Sequence, residues 1–562
     1  MTKNLNNIKE YKYSIFFFIV LLFITFLNFS IEIKSILFIV FLLIASFYIP
    51  EIRTINLKSM PVALVVLFIF LMFTQNQYLE YETISIDTPS YLVASQNVGI
   101  DELPFETQWE SKGPMFMYLY NLMSFFSGEN FVYFKLINDL ILFVVVLFLF
   151  FTLLIKNENS NYSFIGALLF SSISSYVWYH SEFSEIYCLI FISFHFYYVQ
   201  KFELTPKNIF ISSLALSLST LINQATVVFY IAFFLLLINS KKRFLNFKEF
   251  IFLTFGGLIP HLIFILLYLR ENLLSIYFSN YITLPLNYTG SDSFKFGELF
   301  IWLKRYFEFN EVLYLTLLSI FAFLTLRKIN DFIVLFKNNE IFDIFIYLVT
   351  SFSIYVIAGH SYEHHLFYSI YFLSLLSVKF LTHRQFGIFT LLVLVSSIQI
   401  FAGSFVSSYK NLTNLDEVYE SYPLYNLSNE IDSYFEDKPY SVLAFDHVLI
   451  LHYLQKPNTS YLIHPFNNYE NYILNELISL GKLKTNLASH FSYYIEQEPD
   501  VIICNPIAII DGDPVVLDTY NCEITDYKNN YFKLQTIRYE ENKTREFFFD
   551  PYKEVSVYIK SP

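Results

Sequence analysis

Charged side chains make up only 15% of this 562-residue sequence, and cysteine occurs three times. A soluble domain carries roughly 25% charged residues, so an ordinary water-facing surface is excluded. The formal charge of −13 excludes a nucleic-acid partner, whose phosphates would demand a basic face. Three cysteines exclude a disulfide framework. Cys188 lies inside an apolar run and reads as packing, whereas Cys504 and Cys522 would pair if that region is exported to an oxidising compartment. No small-residue cleavage site follows the first apolar run. Lys3, Lys9 and Lys12 ahead of that run therefore predict a retained signal anchor. The sequence also lacks an internal repeat and a His-Glu-x-x-His zinc pattern.

What is present is apolar: 55% hydrophobic and 20% aromatic residues. Apolar runs begin near residues 14, 35, 61, 131, 162, 185, 208, 225, 250, 311, 342, 365 and 386. They predict an α-helical polytopic membrane protein of about 13 transmembrane helices. The stretch from Asn208 to Asn239 reads as two short helices broken near Ile222-Asn223-Gln224-Ala225-Thr226. That break returns the basic loop Lys241 to Lys248 to the side holding Arg53, Lys58, Lys201, Lys207, Arg327, Lys328, His383 and Arg384. The positive-inside rule makes that side cytoplasmic. The N-terminus is then cytoplasmic, and residues 77–130 and 407–562 lie outside.

The acidic residues agree with this topology. Between Gln77 and Asn130 eight acids face a single base, Lys112, and residues 407–562 hold 12 Lys or Arg against 23 Asp or Glu. The expected division is a transmembrane part, 1–406, and an extracytoplasmic α/β domain, 407–562. In the latter, strand-length runs such as Tyr440–Asp446 and Asp500–Cys504 alternate with turn signals.

The loop 77–130 carries the first chemistry. Asp87 opens the helix-compatible run DTPSYLVASQNV, with Pro89 tolerated in its first turn. A carboxylate there would bind a metal or accept a proton from a sugar hydroxyl. Farther on, Glu110-Ser111-Lys112-Gly113-Pro114 leads into an apolar segment. Lys112 reads either as a point charge for a phosphate or as a side chain that snorkels to the interface. His360, Glu363, His364 and His365 cluster ahead of the run near residue 365. They suit a phosphate or metal site, and equally an interfacial belt. His261, inside a span, reads as a bundle-facing packing or hydrogen-bonding residue.

The order of DTPSYLVA, with its Tyr91, then GIDELP, then ESKGPMFMYLYNL resembles integral-membrane glycosyltransferases of the GT-C fold. The likeness is to the branch related to protein O-mannosyltransferases and the lipid A aminoarabinose transferase. HSEFSEIYCLIF, LSTLINQATVVF, HSYEHHLFYS and SVLAFDHVLILHYLQKPNTSYLIHPF are similar to later loops and the outer domain of that family, so the likeness covers most of residues 60–510. It implies an enzyme of the plasma membrane that takes a sugar from a polyprenyl-phosphate donor. The acceptor would be a hydroxyl of a lipid, glycan or protein on the non-cytoplasmic face. It further implies two catalytic acids, Asp87 as the first-loop acid that orients or deprotonates the acceptor and Glu185 as the second-loop acid. Lys112 would stand near the donor phosphate, with Glu110, Tyr91, His360, His364 and His365 as substrate contacts. Many relatives carry Asp-Glu at the first acid; here Thr88 follows Asp87. A divalent cation at Asp87 would therefore rest on one carboxylate. A polymerase or ligase of lipid-linked glycans would be expected to carry an arginine-rich outer loop, and a transporter mid-membrane charges and repeated halves.

Overall fold

The computed structural model describes residues 60–99, 102–157, 160–176, 182–285, 287, 339–357, 363–379, 383–436, 438–468, 470–485, 490–504, 508–510, 513–515, 530–538 and 554–561. The expected spans near residues 14, 35 and 311, together with His360 and Cys522, lie outside them.

Among the described residues, five helices are long and apolar enough to cross a bilayer: Met60–Tyr78, Phe131–Ile155, Gln224–Lys241, Phe247–Arg270 and Phe389–Thr413. The helix Phe247–Arg270 explains its own surroundings. Phe247, Phe250, Phe255, Leu258, Leu262, Ile263, Leu266 and Leu269 are all exposed on it. A stripe that large is stable only against lipid, so the chain is an integral membrane protein. By contrast, Ser160–Ser174 and Phe367–Lys379 are buried along their lengths and form the inside of the bundle.

The stretch 208–239 is broken as expected. A helix runs Pro206–Thr220, entered through Pro206 and capped by the Thr205 side chain. Leu221 to Asn223 leave the helix, and the chain restarts at Gln224 and continues through Phe229–Lys241. At the far end Asn246 and Glu249 form a reciprocal capping box. Glu249 also receives Lys241 at 2.7 Å and Arg243 at 2.9 Å, so the basic loop is tied to the next helix.

The last long helix, His383–Thr413, continues beyond the boundary expected at 406. After it come short helices, including Pro423–Phe435, and a four-stranded sheet. The sheet order is β1 (Val442–Ala444), β2 (Val501–Cys504), β4 (Glu554–Lys560), β3 (Tyr531–Arg538), numbered in chain order within this sheet. β1 and β2 pair parallel, Val442 opposite Val501, and the other pairs are antiparallel. The described residues of β1 and β2 are buried on both faces, which explains their unbroken apolar runs. Cys504 at the end of β2 is disulfide-bonded. Cys188 is free and buried.

This C-terminal region is anchored to the first loop rather than tethered. Glu82, fully buried, accepts the backbone N–H groups of Leu424 (3.0 Å) and Tyr425 (3.1 Å) at the start of the helix Pro423–Phe435. A carboxylate there meets the positive end of the helix. Trp109 N–H donates to Tyr461 O at 2.8 Å, while Gln108 and Asn458 exchange further hydrogen bonds.

Candidate active site

Asp87 stands in the first turn of the helix Asp87–Ser95, its backbone N–H donating to Ser85 Oγ at 3.1 Å. Its Oδ1 accepts a hydrogen bond from His464 Nε2 at 2.9 Å. The side chain keeps 23% of its surface accessible, so the carboxylate is held from one side and open on another. Burial pushes its carboxyl up, but the hydrogen bond from His464 and the fields of His464, His364 and Lys112 outweigh it. The group is held down at about 2. It is ionised at any working pH.

Lys112 is placed by backbone on both sides. Gly113 N–H donates to Ile222 O at 2.9 Å, Met115 N–H to Leu221 O at 3.1 Å, and Asn280 Nδ2 to Lys112 O at 3.3 Å. The carbonyls used are those freed by the helix break at Leu221–Asn223. Position 113 must be glycine, because a Cβ would lie 2.1 Å from Leu221 O. Pro114 then starts the helix Pro114–Ser127. The Lys112 ammonium lies 5.6 Å from the Tyr91 ring centroid. It has neither a hydrogen-bond nor an ion-pair partner among the described residues. Tyr91 is itself buried, edge-on to Phe116 and Tyr120, and forms a floor under the lysine.

Glu185 begins the helix Ser184–Lys201, and its side chain is 1% exposed. Oε1 accepts from Asn223 Nδ2 at 3.3 Å and pairs with His365 Nδ1 at 3.2 Å, while Oε2 accepts from Ser184 Oγ at 3.1 Å. His364 stacks on Phe183 at 4.7 Å and touches the His365 ring. Among the described residues, the ligand atoms of Glu185, His364 and His365 all lie within 4.8 Å of one another, the spacing of a metal site.

Glu110 is buried. Its Oε1 accepts Ser111 N–H and Oγ, both at 2.7 Å, and its Oε2 has no hydrogen-bond partner among the described residues. Burial lifts its carboxyl above the ordinary range, and the charge of Asp87 adds to the lift.

Asp87, Lys112, Glu110, Tyr91, Glu185, His364 and His365 are thus gathered in one place. The Tyr91 hydroxyl feels the charges of Asp87, Glu110 and Glu185, and Lys112 acts on both Asp87 and Glu185. His261 is a packing residue, hydrogen-bonded to Thr220 Oγ1 at 2.9 Å. Two members were not singled out from sequence. Asn223 sat in a break read only for topology, and His464 is one histidine before a proline in a distant segment.

No family model matches the chain, and no curated protein matches it. Among solved structures, ArnT from Cupriavidus metallidurans bound to undecaprenyl phosphate matches with TM-score 0.56 at 11% identity, over 88% of this chain and 97% of that one. The Archaeoglobus fulgidus oligosaccharyltransferase in its apo form gives 0.45 at 12% identity, over 79% of this chain and 69% of that one. At these identities the likeness is one of fold, and the ArnT complex carries it. The chain therefore has the GT-C fold, shared with ArnT over most of its length.

Proposed function

We propose that this protein transfers a sugar from a polyprenyl-phosphate donor to an acceptor hydroxyl on the non-cytoplasmic side of the membrane. The observation that carries the reading is the pairing of Lys112, whose ammonium has no hydrogen-bond or ion-pair partner among the described residues, with a half-open, ionised carboxylate, Asp87, in one site. The fold adds support, since ArnT of the same architecture was solved with undecaprenyl phosphate bound. The one-signed charge of the 77–130 loop and of residues 407–562 supports the outward orientation.

In this reaction the acceptor oxygen attacks the anomeric carbon, the bond from that carbon to the phosphate oxygen breaks, and the lipid phosphate leaves. Asp87 accepts a hydrogen bond from the attacking hydroxyl and fixes its direction. A carboxylate held near 2 is a weak base. It therefore serves first to orient the hydroxyl and to balance the positive charge growing on it, and the proton moves late. Lys112 meets the departing phosphate as a compact, freely turning point charge. Glu185, enclosed by Asn223, His365 and Ser184, sets a fixed negative charge within the field of the lysine.

The test is to incubate the purified protein with a radiolabelled polyprenyl-phosphate sugar and a mixture of lipid, glycan and protein acceptors. Release of lipid phosphate coupled to labelled product supports the transfer. Movement of the label across a vesicle without release of lipid phosphate would replace the reading with transport.

A further inference from the structure

His464 reaches Asp87 from the far end of the chain. It lies 377 residues away, in a segment pinned against the first loop by hydrogen bonds on several sides. Trp109 N–H donates to Tyr461 O at 2.8 Å, and Ile463 N–H to Trp109 O at 3.4 Å, so Trp109 and Leu462 pair as a one-residue parallel bridge. Gln108 Nε2 donates to Asn458 O (3.2 Å) and Ser460 O (3.3 Å), and Asn458 N–H returns to Gln108 Oε1 (3.1 Å). Both strands of this contact end at the site: Trp109 is followed by Glu110-Ser111-Lys112, and Ile463 by His464.

The imidazole is also fixed in its protonation pattern. Phe466 N–H donates to His464 Nδ1 at 3.2 Å, so in the neutral ring Nδ1 is the acceptor and Nε2 carries the proton. That proton is given to Asp87 Oδ1. Asn468 Nδ2 donates to His464 O at 3.3 Å and closes the turn through Pro465. The imidazole is the more enclosed partner, with 10% of its side chain accessible against 23% for Asp87. One carboxylate oxygen is therefore held from the buried side and the other is left for a substrate.

We propose that His464 is a positioning residue for Asp87, so that the C-terminal region supplies part of the site and the reaction depends on its docking against the first loop. The proposal rests on the sugar-transfer reading for its consequence, but not for the contact itself. A hydrogen bond to one oxygen fixes the rotation of the carboxylate about its Cα–Cβ and Cβ–Cγ bonds, which an unheld aspartate at a helix start would sample freely. Docking of the C-terminal region is thereby coupled to the geometry of the acid.

Two substitutions separate this role from a structural one. His464→Gln places an amide N–H near the position of Nε2 and keeps the donor; His464→Phe keeps the ring and removes it. In the full-length protein the Phe variant should lose kcat by about ten- to a hundredfold, the scale on which a misplaced reacting group costs rate. Its donor KM should stay within about twofold, because Lys112 is held by other contacts. His464→Gln should recover most of the lost kcat. Equal losses in the two variants, or an unchanged kcat in His464→Phe, would overturn the proposal. A second arm needs no turnover: melting of His464→Phe, Asp87→Ala and the double variant in detergent. The double variant should melt well above the sum of the two single shifts, because the second substitution removes a partner already lost. Additive shifts would refute the contact. Should the wild-type protein release no lipid phosphate while the melting shifts remain coupled, the transfer reading fails and the contact stands.

Discussion

Asp87 and Glu185 are both acids at the start of helices in one site, yet the fold treats them in opposite ways. Asp87 keeps 23% of its side chain open and gives one oxygen to His464. Glu185 keeps 1% and has both oxygens occupied by Asn223, His365 and Ser184. The first can meet a substrate hydroxyl without breaking an existing bond. The second would first have to surrender hydrogen bonds inside a closed shell, each worth about 1.5–3 kcal/mol to a charged group. The open acid suits the chemistry and the closed one suits the architecture, with Lys112 between them.

The sharpest way to break that comparison is Asp87→Asn. Orientation and proton acceptance by a placed carboxylate contribute about 10²–10⁴-fold, so kcat should fall on that scale with little change in donor KM. Kinetics on detergent-purified variant would check it, and turnover near wild type would remove Asp87 from the reaction. Next in size is Lys112→Ala. It removes the phosphate's charged partner and should raise donor KM about ten- to a hundredfold, the equivalent of one charged hydrogen bond. An unchanged donor affinity would leave Lys112 as a side chain that snorkels to the interface.

Glu185→Gln tests the other side. The amide keeps the volume and one acceptor, so turnover should stay within about tenfold of wild type while melting drops by the equivalent of about 1–3 kcal/mol. A loss of kcat as large as that of Asp87→Asn, with melting unchanged, would make the two acids partners in chemistry and dissolve the distinction.

Much of this arrangement was legible from residue order. The break in 208–239 followed from keeping Lys241 to Lys248 on the basic side, and the helix does end at Thr220 and restart at Gln224. β1 and β2 lie where Tyr440–Asp446 and Asp500–Cys504 interrupt polar sequence. Other features left no such trace. Hydropathy reports contact with lipid, not the end of a helix, so His383–Thr413 runs past the point where its apolar run stops. The break was read for topology, although its free carbonyls hold Gly113 and its Asn223 holds Glu185. His464 has no periodicity to mark it; the pairing of Gln108–Trp109 with residues 458–463 brings it to Asp87. Side chains joined across hundreds of residues carry no local pattern.

The smallest expected effect on turnover belongs to Glu82, a third acid, from the same loop as Asp87 but outside the site. Burial raises its carboxyl to about 7, even though the N–H groups of Leu424 and Tyr425 favour the charged form. The folded protein therefore holds a proton there that the unfolded chain, near 4.5, releases. Between those two values each rise in pH favours unfolding, and the penalty levels off above about 7. Glu82→Gln should flatten this slope, so its melting temperature should exceed that of wild type increasingly from pH 5 to about 7, with kcat unchanged. Parallel melting curves for the two proteins across that range would mean that Glu82 is already ionised in the fold. The start of the helix Pro423–Phe435 would then be docked by a charged carboxylate, as Asp87 is held by His464, and burial alone would not separate the structural acid of this loop, Glu82, from the reactive one, Asp87.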